Sequence, residues 1–111
     1  MKLQEQSHGA VLVIRPDGAL IGADADDFKK RVLDAMTRSL GRCVVDVGAV
    51  PFVDSRGLEA LVEVNEQVGQ SGQPLKLCGM VATVRQVLEL TKLSSQFEYF
   101  EDVTAAARSF L

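Results

Sequence analysis

The run Val53-Asp54-Ser55-Arg56-Gly57-Leu58 sets a hydroxyl between a carboxylate and a guanidinium, at the point where an apolar stretch gives way to an amphipathic one. Ser55 falls where a helix N-cap is expected, which puts its hydroxyl at the surface and at the positive end of a helix dipole. A phosphate on that hydroxyl would lie among backbone N–H groups that have no partner inside the helix. It would add about 1.5 to 2 negative charges at neutral pH. Arg56 is placed to offer it one charge-assisted hydrogen bond, and Asp54 to repel it. Reversible modification is therefore the chemistry these residues suit. The plain alternative is that Ser55 only caps the helix, or that Asp54 caps it or braces the turn, with Arg56 a solvated surface residue.

No other constellation suggests a reaction. The chain has one histidine, His8, in an expected turn, and two cysteines, Cys43 and Cys78, in apolar strand-like runs without a Cys-x-x-Cys partner. A zinc site is not expected from that pattern, and both thiols read as buried and reduced. No nucleophile–base pair stands out, so an enzyme is not expected. Asp24, Asp26 and Asp27 have the spacing of a helix start and lack the glycine of a calcium loop. Neither a metal nor a cofactor is expected, and the phosphate-loop pattern is absent. The formal net charge of -3, with Lys and Arg scattered, argues against nucleic acid as a partner. No apolar run approaches the roughly 20 residues that span a bilayer, and Met1-Lys2-Leu3-Gln4-Glu5 has no signal-peptide core, so a cytoplasmic protein without membrane insertion is expected.

At 111 residues the chain holds one domain, residues 1–111, since a second core would not fit. Two strand-like runs flank Ser7-His8-Gly9, a hairpin signal, and Pro16-Asp17-Gly18 reads as a second turn. Asp24 is expected to start a helix whose buried face is Phe28, Val32, Ala35, Met36 and Leu40, with Gly41 as the C′ glycine. Cys43 to Val47 is β-rich and almost wholly apolar, as for a central strand covered on both faces. A second helix is predicted from about Arg56 to Val68, ended by Ser71-Gly72-Gln73-Pro74. Leu75 to Cys78 is a strand, Ala82 to Leu90 a helix, Phe97 to Phe100 a short strand, and Asp102 caps a last helix. Strands alternating with helices predict an α/β fold. Its mixed, mostly parallel sheet carries an N-terminal antiparallel hairpin and is packed by about four helices.

The second helix has a core stripe of Gly57, Ala60, Leu61, Val64 and Val68. Leu58 and Val62 fall on its flank and are expected to be only partly covered. Beside Ser55 they would form a small apolar patch with a polar rim, of the kind that marks partner-binding surfaces. A partner packed there would meet a phosphate on Ser55 at its contact edge and be lost without any refolding. Asp54, Arg56, Gly57, Leu58 and Val62 are the expected partner contacts. Asp24 is a further rim candidate. Gly57 is expected to allow close helix–sheet packing and to leave room for the partner.

Across nearly its whole length the chain resembles the STAS domain family of bacterial anti-sigma factor antagonists. The resemblance rests on Val44-Val45-Asp46-Val47 followed by Phe52-Val53-Asp54-Ser55-Arg56-Gly57-Leu58. Gly18-Ala19-Leu20, Leu75 to Gly79, and Val84 to Leu93 add to it. It implies a binding partner that is both an anti-sigma factor and a serine kinase with a histidine-kinase-like ATPase fold. That kinase would phosphorylate Ser55, and a serine phosphatase would reverse the step. Two positions depart from the family pattern: Arg56, where a small residue is common, and Ile21, where an acidic residue is common. The family also contains domains that serve as constitutive subunits of lipid-transport ABC or sensory complexes, where Ser55 would be a cap or a contact residue without switching.

Overall fold

Gly9 and Ala10 reverse the chain between β1 (Lys2–His8) and β2 (Val11–Asp17), which pair antiparallel from Lys2↔Asp17 to His8↔Val11. In this computed structural model, which describes residues 1–70 and 72–111, the later elements alternate. They are α1 (Gly22–Arg38), β3 (Cys43–Asp46), α2 (Ser55–Gly69), β4 (Lys76–Cys78), α3 (Ala82–Leu90), β5 (Glu98–Phe100) and α4 (Val103–Arg108), with a 3-10 turn at Ser94–Gln96. The sheet order is β1-β2-β3-β4-β5, and β2 to β5 are parallel. Each crossover steps one strand in the same direction. Right-handed crossovers then place α1, α2 and α3 on one face.

Two apolar clusters reflect this layering. The larger joins Phe28 and Val32 of α1, Leu61 and Val64 of α2, and Val84 and Leu88 of α3 to the near face of the sheet. The smaller packs Ala106, Val103 and Phe110 of the α4 region on Val11, Val13, Val44 and Cys78. β3 is buried along its whole length, as its nearly unbroken apolar run requires. Lys76 is buried among the α4 packing, where its Nζ lies 2.7 Å from Ser109 Oγ, 3.0 Å from Glu98 Oε1 and over the Phe110 ring.

Several boundaries differ from the sequence expectation. β2 extends through Pro16 to Asp17, because both pair with β1 at Leu3 and Lys2, and the chain bends only at Gly18. α1 starts at Gly22, two residues before Asp24, and its N-cap, Ile21, makes no side-chain cap bond. At its C-terminus Leu40, not Gly41, takes the left-handed C′ position, at φ +55°. The amide of Gly41 donates to the Met36 carbonyl (2.9 Å) and that of Leu40 to Thr37 (3.4 Å), which makes a Schellman end with glycine one residue late. The expected stop at Ser71-Gly72-Gln73-Pro74 includes Ser71, which lies outside the described residues. Asp102 caps α4 as expected, accepting from the Ala105 amide at 2.8 Å.

Candidate functional site

Two chain segments meet beneath the start of α2. Leu20 and Val53 form an isolated parallel bridge. The Leu20 amide donates to the Phe52 carbonyl (3.2 Å), and the Asp54 amide donates to the Leu20 carbonyl (3.2 Å). Leu20 and Val53 are buried, so their neighbours Ile21 and Phe52 turn outward. The bridge brings the first turns of α1 and α2 to the same end of the molecule.

Asp54, not Ser55, is the N-cap of α2, and Ser55 is its first helical residue. The carboxylate of Asp54 serves both helices. Oδ1 accepts from the Gly57 amide at 2.9 Å, and Oδ2 accepts from the Gly22 amide, the first of α1, at 3.0 Å. The Gly57 amide above all, with those of Gly22 and Arg56 and the nearby Arg56 charge, holds the Asp54 carboxyl below its ordinary range against partial burial. Cap propensity did not separate Asp from Ser here, because both rank high. What decides is that only a carboxylate has two oxygens to span two helices.

Ser55 is exposed, and no described residue hydrogen-bonds to its hydroxyl. Of the helix-end amides expected to cradle a phosphate, that of Gly57 is already taken by the Asp54 carboxylate. Arg56 is exposed too, but its guanidinium is paired with Asp26 on α1. A second pair, Lys29 with Glu63, continues the same seam between α1 and α2. Arg56 thus faces α1, one helical step of about 100° away from Ser55. The expected Arg56–phosphate contact is replaced by this cross-helix pair. Asp24 is half-exposed beside the backbone amine of Met1.

Ser55, Leu58 and Val62 fall at i, i+3 and i+7 and so share one stripe of α2. Leu58 and Val62 are both half-buried, and Leu58 packs on the main core. Gly57 is buried, and its expected role of leaving room for a partner does not hold. A Cβ there would come 2.2 Å from the Leu20 carbonyl oxygen. Gly57 is what allows α2 to sit on the Leu20–Val53 bridge. The structure adds two residues that the sequence reading left out: Phe52, 48% exposed, and Ile21, 38% exposed. Their signal was visible as apolar residues flanking the buried Leu20 and Val53, but without the bridge nothing assigned them a side.

The other described residues offer little reactive chemistry. Burial pushes the Cys43 and Cys78 thiols up to about 12, which keeps both neutral. No group of three or more His, Cys, Asp or Glu among the described residues is arranged to hold a metal. No described helix is long and apolar enough to cross a membrane.

Comparison with known proteins places this geometry. The family model described as STAS domain matches residues 2–106. The protein BtrV of Bordetella bronchiseptica, designated an anti-sigma factor antagonist, is 27% identical over 110 residues, spanning 99% of this chain and 95% of that protein. TM1081 of Thermotoga maritima, whose crystal structure carries the same designation, superposes with a TM-score of 0.85 at 22% identity, covering 96% of this chain and 92% of that one. The anti-sigma factor antagonist SpoIIAA in its unphosphorylated form gives a TM-score of 0.78 at 17% identity, covering 98% and 96% of the two chains. At these identities the structural likeness establishes the fold.

Proposed function

The chain belongs to the STAS domain family, and from that premise we propose that it is a regulatory protein–protein interaction module, an anti-sigma factor antagonist switched by reversible phosphorylation of Ser55. Its partner is an anti-sigma factor that is also a serine kinase with a histidine-kinase-like ATPase fold, and a serine phosphatase resets the switch. Binding by the unmodified chain frees the sigma factor. The chain itself supplies a surface and an acceptor hydroxyl, and no catalytic group.

The observation that carries this reading is the Ser55 hydroxyl. It is exposed in the first turn of α2 and free of side-chain or backbone partners among the described residues. It lies on one stripe with the half-buried Leu58 and Val62, next to the exposed Phe52 and Ile21. A kinase can reach it without unfolding anything. A phosphate added there meets the Asp54 carboxylate, and Arg56 is committed to Asp26. The fold therefore does little to hold the new dianion, and it points toward whatever packs on the Leu58–Val62 stripe. Burying an unpaired dianion in an apolar contact is strongly unfavourable, so the partner leaves. Asp54 positions both helix starts and acts on the partner through them. Gly57 supports the face from below.

The test is a pull-down from native lysate with wild type and Ser55→Asp, read by mass spectrometry. A kinase-like ATPase should be recovered by wild type and lost with the acidic variant. Equal retention of one partner by both would defeat the switch and favour a constitutive subunit.

A further inference from the structure

The end of the molecule away from Ser55 carries a second concave surface. α1 and α2 run parallel, and about 15 residues of helix separate their C-terminal ends from the Ser55 rim, a span of about 20 Å. Two grooves of about 220 Å³ and 310 Å³ adjoin between those ends and share Met36, Leu40 and Val68. Leu33 extends the apolar wall of one groove and Cys43 lines the other. The Cys43 thiol is neutral, so that wall is uncharged.

Leu40 is the unusual member. It is 84% exposed and holds the left-handed conformation that glycine normally takes at a helix end. A bulky side chain there is conformationally costly, and an exposed leucine adds solvation cost.

Arg42 lines the same groove and makes no ion pair among the described residues. Lys76, the other cation nearby, is engaged by Glu98 and Ser109. The end of α1 does not repel an anion strongly. The carbonyls of Ala35, Met36, Thr37 and Ser39 already accept from the amides of Ser39, Gly41, Leu40 and Arg42.

A trough with an apolar stretch of Leu33, Met36, Leu40 and Val68, and one cation without an ion pair among the described residues, suits a flexible chain bearing one anionic end. A peptide would bring many backbone N–H and C=O groups, of which Thr37, Gln67 and Gln73, the uncharged polar side chains lining the grooves, could pair only a few. We propose that this groove binds a fatty-acid anion, with the acyl chain along Met36, Leu40 and Val68 and the carboxylate on Arg42. The site is independent of the Ser55 reading and is far enough from it for both faces to be occupied together.

The test titrates decanoate, below its micelle concentration, into the isotope-labelled chain and follows backbone amide NMR signals. Saturable shifts confined to residues around 33–43 and 67–68 are expected. Arg42→Ala should weaken binding about tenfold or more, the scale of a lost charge-assisted hydrogen bond. Leu40→Asp should weaken it further, with signals of the Ser55 rim unmoved in both variants. Three results would overturn the proposal: no saturable binding, shifts centred on the Ser55 rim, or decanol binding as tightly as decanoate with no effect of Arg42→Ala.

Discussion

Replacing Gly57 with alanine sets two physical effects against each other. Gly57 has ordinary helical dihedral angles within α2, so helix propensity alone makes Gly57→Ala stabilising by about 1 kcal/mol. Packing says the opposite. The new Cβ would stand 2.2 Å from the Leu20 carbonyl oxygen and 3.1 Å from both the Leu20 and Val53 Cβ atoms. The first neighbour is backbone and cannot rotate away. α2 must lift by about 1 Å, and overpacking of this kind costs typically 1–3 kcal/mol and sometimes more. With the cost at the upper end, the net effect is a loss of about 2 kcal/mol, or a fall of about 1 M in the urea midpoint. Gly69→Ala, in the same helix with open space at its Cβ, is the matched control and should be neutral or slightly stabilising. Urea unfolding of the three proteins decides it. A midpoint for Gly57→Ala equal to or above wild type would refute the claim that α2 rests directly on the Leu20–Val53 bridge.

The pH dependence of the cap has a defined sign. The folded Asp54 carboxyl lies below its unfolded value of 3.8, so its stabilisation is complete above that value and is lost as pH falls through the folded one. Carboxyl-carbon NMR titration should place Asp54 below 3.8, and Asp54→Asn should abolish protection of the Gly22 amide while largely keeping that of Gly57, because an amide NH₂ cannot accept from both helices. Cys43 and Cys78, with thiols raised to about 12 by burial, should resist a thiol reagent at pH 8 until the chain unfolds, so that the labelling rate tracks urea concentration. Lys76→Met should be within about 1 kcal/mol of wild type, since the ammonium is traded for apolar volume against Phe100 and Phe110, whereas Lys76→Ala should cost about 2 kcal/mol.

Periodicity carried most of the fold. The four helices and the central strand follow from runs such as Phe28-Val32-Ala35 and Cys43 to Val47, whose spacing leaves one geometry in which the apolar atoms are buried. The N-terminal start of α1 was not legible. Asp24 is a good cap by type, but Gly22 begins the helix because the Asp54 carboxylate, 32 residues away, takes its amide. The same long-range bond moved the α2 cap from Ser55 to Asp54. At the end of α1 the usual preference for glycine points to Gly41 at C′, whereas the helix stops at Arg38 with Ser39 as its C-cap, which puts Leu40 there and Gly41 one residue later. The stripe of Ser55, Leu58 and Val62 could be read from helical spacing. Phe52 and Ile21 could not, because their side of the chain depends on a single bridge between distant segments. Asn65 shows the same limit: it joins α2 to the start of β4 and the end of the 3-10 turn through the Leu75 amide (2.7 Å) and the Gln96 carbonyl (3.1 Å).

The direct measurement is the affinity of the recovered anti-sigma factor for two purified forms of this chain, one unmodified and one with phosphoserine incorporated at position 55. An uncompensated charge at an apolar contact should weaken binding by about 100-fold or more, while the urea midpoints of the two forms stay close. Equal affinities would contradict switching at Ser55, and loss of binding accompanied by unfolding of the phosphorylated form would contradict the claim that the fold tolerates the charge.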